Sequence, residues 1–372
     1  QGRIDRALEF LPSDEELVER KSRGQPLTRP ELSILISYSK AVLKERLIDS
    51  DLGKDPYLAN AVTTAFPPQL VEKFGDEIKS HRLHREIMAT QVANDIVNRM
   101  GLNFIMRQAK ATGASVADVA RAYTTVMEVF QLRELWRWIE LLDHQVSASV
   151  QMDMMLKLVR LVKRATRWLL RNRRHELMPT PLVREFSKGL EQLRVGFPSM
   201  LRGSSADQYE SLYDRYVEEG VGEELAGRVA GTQLAYTALG IIQAAAETEA
   251  SLENVANLYF FMGERLELDW FSSQIMAANV DNEWQALARD TYMEDLEWQQ
   301  RTLAVGALKH LDEDGNLLAC MHQWEKEQEI LLGRWQSMLA ELHATESPDF
   351  SMFAVANREL LDLAQSSKRS AD

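Results

Sequence analysis

Two imidazoles and a carboxylate lie within six residues of one another at His81, His84 and Glu86. Neutral imidazole and carboxylate are the ligands that zinc and its neighbours take, so the cluster invites a metal centre. Helical geometry works against it. At 100° per residue, Glu86 stands about 140° round the axis from His81, and the three side chains diverge. A metalloenzyme built on His81 and His84 would need a third ligand from elsewhere in the chain. The competing reading is a packing helix ending at Gly101. Met88, Ala89, Val92, Ala93, Ile96 and Met100 share one arc of it, and Gln91, Asn94, Asp95 and Asn98 the opposing one. Arg82 and Glu86 form an i,i+4 pair. Arg82 and Arg85 project along the apolar side, where an arginine usually meets a buried carboxylate or a partner. A structural ion pair with a carboxylate of another helix is the expectation for both.

A second cluster is basic. Lys157, Arg160, Arg164, Arg167, Arg171 and Arg174 recur at spacings of three and four, with no acid between Met154 and His175. Such a stripe can lie on an anionic membrane, bind nucleic acid, or pair with acidic residues of its own chain or a neighbouring subunit. Pairing is the preferred reading, because residues 207–300 hold 19 acidic against 4 basic side chains, a net of −15 in a chain of net −13. That balance argues against nucleic acid as a partner. Trp270, Trp284 and Trp298 are each 14 apart, about four helical turns, and read as a core stripe. The single cysteine, Cys320, reads as a small core residue and fits a reducing cytoplasm. No HExxH, CxxC, GxSxG, GxGxxG or GxxxxGK[ST] pattern occurs. No apolar run approaches the roughly 18 residues needed to span a bilayer.

The elements that must position these residues are helices. Ser13 to Glu16 and Thr28 to Glu31 read as capping boxes, with Pro30 in a first turn. Asp55-Pro56 opens a further helix and Phe66-Pro67-Pro68 breaks it. Helices are expected near 76–100, 115–143, 149–173 and 181–195, then at 206–219, 222–248, 251–264, 267–279, 281–305, 316–344 and 350–364. No period-two alternation suggests a strand. The fold class is therefore all-α, a dozen or more helices in possibly two packed subdomains. The Gly and Pro punctuation at 196–206 is the expected boundary, between a helical subdomain at 1–196 and an acidic one at 206–372. A chain opening on Gln1 and almost directly on a helix reads as part of a longer polypeptide.

Six segments share more than composition. GRIDRALEFLPSDEELVERKSRGQPLTRPELSILISYSKAVLKERLIDSDL, HRLHREIMATQVANDIVNRMG, ATGASVADVARAY, VFQLRELWRWIELLD, RATRWLLRN and FFMGERLELDWF resemble, in order, the C-terminal helical region of the large bacterial NAD-specific glutamate dehydrogenases. The resemblance implies a full protein that oxidatively deaminates L-glutamate to 2-oxoglutarate and ammonia with NAD. It also implies that the substrate-binding lysines and the Rossmann cofactor site lie upstream of this region. No catalytic, cofactor-binding or metal residue is therefore assigned here, and the chain alone is expected to be inactive. The implied partners are the catalytic domain of the same polypeptide and further copies of it in a homo-oligomer, with no nucleic acid and no membrane. The implied role is assembly, interdomain support or regulation, in the cytoplasm. The alternative is an independent helical binding module using the basic helix 157–174.

Overall fold

In the computed structural model, residues 4–312 and 315–369 are described; among them are nineteen α-helices, two short 3-10 helices and no strand. The chain divides into two compact units, Gln1–Arg133 with Leu158–Arg184, and Glu134–Lys157 with Glu185–Asp372. The first ten helices are α1 (Asp14–Ser22), α2 (Arg29–Ile48), α3 (Pro56–Ala59), α4 (Pro68–Lys79), α5 (His84–Met100), α6 (Phe104–Thr112), α7 (Val116–Val129), α8 (Leu132–Glu140), α9 (Ala148–Asn172) and α10 (Pro179–Met200). The remaining nine are α11 (Gly203–Glu218), α12 (Glu223–Ala230), α13 (Thr232–Thr248), α14 (Leu252–Arg265), α15 (Leu268–Ala277), α16 (Glu283–Leu308), α17 (Leu317–Glu327), α18 (Glu329–His343) and α19 (Phe350–Arg369).

Local chemistry explains where many of these begin. Both expected capping boxes form: Ser13 and Thr28 accept from the amides of Glu16 and Glu31, whose carboxylates return to the cap amides. Ser115 caps α7 by accepting from Asp118. Asp55 caps α3, accepting from Tyr57 and Leu58 at 2.9 and 3.2 Å. Each cap satisfies amides that the first helical turn leaves without a partner.

Four expected helices are divided. The 76–100 stretch belongs to α4 and α5, separated by a turn at residues 80–83. The 115–143 stretch breaks at Gln131, whose φ is +51°. The 222–248 stretch breaks at Gly231 and the 316–344 stretch at Gln328. Residues 196–206, expected as a boundary loop, are helical except at Leu201 and Arg202. Leu193 and Phe197 are buried there, and a helix already 17 residues long at Val195 propagates cheaply through one more turn. The two units also intersperse along the chain, with residues 134–157 grouping with the second half.

In the first unit α2 packs on α5 and α7, and α6 on α7. Leu47, Met88, Ala89, Ile96 and Val119 are fully buried in its core. The second unit is organised around α16, which packs against α13, α14, α15, α17 and α19. Its glycine neighbours explain the closeness. A Cβ on Gly240 of α13 would lie 2.3 Å from Glu297 Oε1, and one on Gly263 of α14 would lie 2.6 Å from Gln300 Nε2. The polar middle of α16 is thus buried because small residues on adjacent helices make room for it.

Candidate functional site

The histidines are placed as structural donors and acceptors. His81 precedes α5, and its Nδ1 accepts from the amide of Leu83 at 3.0 Å. His84 Nε2 donates to the carbonyl of Ala59 at 3.1 Å. Among the described residues, no group of three or more His, Cys, Asp or Glu side chains is placed to hold a metal.

Arg82 lies in the turn ahead of α5, so the expected i,i+4 helical pair with Glu86 has no helix to set its spacing, and both side chains are exposed. Arg85 is more informative. Its side chain crosses Gly53, within 3.3 Å of where a Cβ would stand, and its Nη2 donates to the carbonyls of Ile48 (2.5 Å) and Ser50 (3.4 Å). The partner is therefore the C-terminal end of α2 and not the expected carboxylate. A cation there meets the negative end of the helix dipole and carbonyls that lack helical partners. Arg85→Met should cost about 1 kcal/mol and lower the melting temperature by roughly 2–4 °C. Circular dichroism melts would show it, with faster amide exchange near Asp49.

One ionic cluster in the first unit centres on Asp95. Arg99 Nε donates to its Oδ1 at 2.8 Å, and the Tyr123 hydroxyl to its Oδ2 at 3.0 Å. Arg133 Nη1 also lies 2.9 Å from Oδ2, and its Nε reaches Glu128 at 3.4 Å. Burial, then the Asp95 charge, pushes the Tyr123 phenol well up; burial, then Glu128, does the same at Tyr57. Both phenols stay protonated across the physiological range and act as hydrogen-bond donors. The arrangement clamps α5, α7 and the start of α8. Asp95 lies on the polar arc of α5, opposite the apolar one. Its partner Arg133 lies 38 positions on, beyond any helical spacing rule.

A second clamp surrounds Arg121 of α7. Its guanidinium faces Asp51 at 2.8 Å, Asp118 at 3.3 Å and the fully buried Asp55 at 3.7 Å. One cation thereby ties α7 to the residues that open α3.

Lys157, Arg160, Arg164, Arg167 and Arg171 of the basic stripe lie on α9, whereas Arg174 falls in the turn after the helix ends at Asn172. Arg167 Nε donates to Gln108 Oε1 at 3.3 Å, and Arg174 Nη2 to the Thr112 carbonyl at 2.6 Å. Both contacts reach α6, the second at its C-terminal end. Lys157 acts electrostatically on Asp153, which also accepts from Arg215 and from Tyr216 at 2.7 Å. Arg164 and Arg171 have partners as well. Arg160 is exposed.

The tryptophan stripe does not form. Trp284 is 81% exposed at the start of α16. Trp270 stacks on His343, ring centroids 3.7 Å apart, and His343 Nε2 lies 2.9 Å from Glu267. A break between α15 and α16 separates Trp270 from Trp284, so the 14-residue spacing does not run along one helix. The fully buried indoles are Trp324, whose Nε1 donates to Ser367 Oγ at 2.8 Å, and Trp335, which donates to the Leu266 carbonyl. Cys320 is a core residue, fully buried, with Sγ 3.2 Å from the Ala307 carbonyl. Burial pushes its thiol up to about 11, which keeps it protonated and a poor nucleophile.

Asp269 is a carboxyl under strain from its surroundings. Burial and the neighbouring Glu264 raise it above its ordinary value of 3.8, against the Ser205 hydroxyl, which donates to it at 2.6 Å and lowers it. The folded chain therefore holds this proton more tightly than the unfolded chain. Its stabilising contribution is complete below pH 3.8 and is lost as pH rises through the folded value. Asp269→Asn should raise the melting temperature at neutral pH and flatten that acid-side dependence, as differential scanning calorimetry across pH would show.

A cleft of about 410 Å³ in the second unit is lined by Asp281, Glu346 and Asp349 with Gln274 and Gln285. The amides of Ser351 and Met352 at the start of α19 are taken by Asp349 itself. Among the described residues, no basic side chain lines the cleft. Carboxylates there repel a pyrophosphate, so the lining does not fit a dinucleotide.

Residues 24–362 match the family described as glutamate dehydrogenase, C-terminal. The chain belongs to this family. It is 48% identical, over 99% of its length, to the NAD-specific glutamate dehydrogenase of Pseudomonas aeruginosa, and covers 23% of that protein. The enzyme of the same name from Halomonas elongata is 44% identical over 98% of the chain, with 23% of the relative covered. That from Mycobacterium tuberculosis is 28% identical over 98% of the chain, with 22% covered. The chain thus spans about a quarter of the length of the curated relatives it matches. Within the family frame, Asp95 on α5 and Arg133 on α8 fall in two of the segments that carried the resemblance, and they meet in one clamp.

Proposed function

We propose that the chain is the non-catalytic helical C-terminal region of a large NAD-dependent glutamate dehydrogenase, serving its assembly, interdomain support or regulation. In this reading the whole protein oxidatively deaminates L-glutamate to 2-oxoglutarate and ammonia, and NAD binds elsewhere in the polypeptide. The observation that supports it most is the family match over residues 24–362. The use of charged groups supports it further. Arg85, Asp95, Arg121 and Arg174 are occupied in joining helices of one unit. Groups committed in this way stabilise an architecture and are not poised for proton transfer.

The test is removal of this region from the intact polypeptide. Light scattering, thermal melting and steady-state kinetics would compare the truncated and intact forms. The proposal expects a change in the number of subunits per assembly, in melting temperature or in kinetic constants. A truncated protein identical to the intact one on all three measures overturns it.

A further inference from the structure

The N-terminal 33 described residues expose apolar surface that nothing else in their unit covers. Among the described residues, five of the twenty exposed large apolar side chains fall between positions 8 and 36: Leu8, Phe10, Val18, Leu32 and Ile36. Phe10 is 92% exposed, Leu8 72% and Val18 70%. The segment is nonetheless held as one body. Arg6 pairs with Asp14 at 2.6 Å, Arg20 with the buried Glu31 at 2.9 Å, and the Tyr38 hydroxyl donates to Glu9 at 2.7 Å. α1 buries no residue at all. A nine-residue helix is marginal in water on its own, and most helical stability in proteins comes from packing an apolar face. Exposed apolar patches of this kind mark interaction surfaces.

We propose that this face, formed by α1 with Leu8, Phe10, Leu32 and Ile36, is where the part of the same polypeptide preceding residue 1 docks. The assignment rests on the reading given under Proposed function. The occupant follows from the comparisons: the matched family is a C-terminal one, and the relatives carry about three quarters of their length outside the match. Polypeptide joined ahead of residue 1 enters within ten residues of Phe10, before any other exposed apolar cluster of the chain. Of the seven acids between positions 4 and 36, Asp14, Glu19 and Glu31 are each met by an arginine of the same segment.

The test uses the intact polypeptide with the photocrosslinker p-benzoyl-phenylalanine in place of Phe10, and a control with it in place of Ile330, which is 81% exposed in the second unit. Mass spectrometry maps the crosslinked peptides, and glutamate-dependent NAD reduction is measured on the same samples. The expected result is a crosslink from position 10, and not from 330, to peptides preceding residue 1. A crosslink from position 10 only to peptides within residues 1–372, or none, overturns the docking assignment. If activity is present in that case, the functional reading stands and only the docking fails; absent activity in the unsubstituted polypeptide overturns the functional reading itself. As a second arm, Leu8→Ser with Phe10→Ser should leave the melting of the 372-residue chain unchanged and lower that of the intact polypeptide. Equal melting of the substituted and unsubstituted intact forms counts against docking.

Discussion

Asp95→Ala should lower the stability of the first unit by about 3 kcal/mol, the largest effect expected of any single substitution considered. One carboxylate holds Arg99, Arg133 and Tyr123. Its loss leaves the Tyr123 hydroxyl, on a ring only 1% exposed, without its acceptor. A buried hydroxyl so orphaned costs about 1–3 kcal/mol. The arginines contribute less than a buried pair would, since their side chains are 25% and 43% exposed and water can solvate them. Alanine returns a few tenths of a kcal/mol through its higher helix propensity, roughly 0.5 at most. The melting transition of the first unit should fall by roughly 6–12 °C. Asp95→Asn, which keeps an acceptor for Tyr123, should fall by less than half as much. Equal loss in both variants would mean that the charge, and not the acceptor, holds the clamp.

The second large effect is expected at Gly306, where α16 meets α19. A Cβ there would stand 2.1 Å from Ser367 Oγ, 2.9 Å from the Ser367 carbonyl oxygen and 3.0 Å from its carbon. A side-chain clash can be relieved by a rotamer change; a clash with helix backbone cannot. Gly306→Ala must therefore push α19 away from α16, and overpacking of this kind costs about 1–3 kcal/mol. The same movement draws Ser367 Oγ from Trp324 Nε1, a buried donor that then loses its partner. Alanine's propensity over glycine returns about 1 kcal/mol. A net loss of about 2 kcal/mol, or roughly 4–8 °C in the melting of the second unit, should follow. Adding Ser367→Gly should recover less than half of this, because the backbone contact remains and Trp324 stays unpaired. Full recovery would show that only the Oγ contact matters.

The contrast between what was legible in the sequence and what was not follows the range of the interaction. The caps at Ser13, Thr28 and Ser115 depend on residues three positions apart, and all formed where the spacing placed them. The all-α class followed from the same local rules. The partners of Arg85 are backbone carbonyls, which carry no sequence signal. The breaks at Gln131 and Gln328 fall on residues that mark no turn by type, so periodicity ran through them. Gly240 and Gly263 stand inside expected helices and Gly306 one residue past the expected 281–305, but only tertiary placement shows which side chain each meets. Trp284 shows the converse failure. Its spacing from Trp270 matched a helical stripe, yet the helix between them ends at Ala277 and the ring is exposed.

If the chain supports a dehydrogenase without performing its chemistry, one assay should separate the two. The most direct measurement is NADH formation from L-glutamate and NAD, made side by side on the 372-residue chain and on the intact polypeptide at equal molar concentration. Steady NADH production by the intact form and a rate at the no-enzyme background for the chain alone are expected. Glutamate-dependent turnover by the chain alone would contradict that expectation.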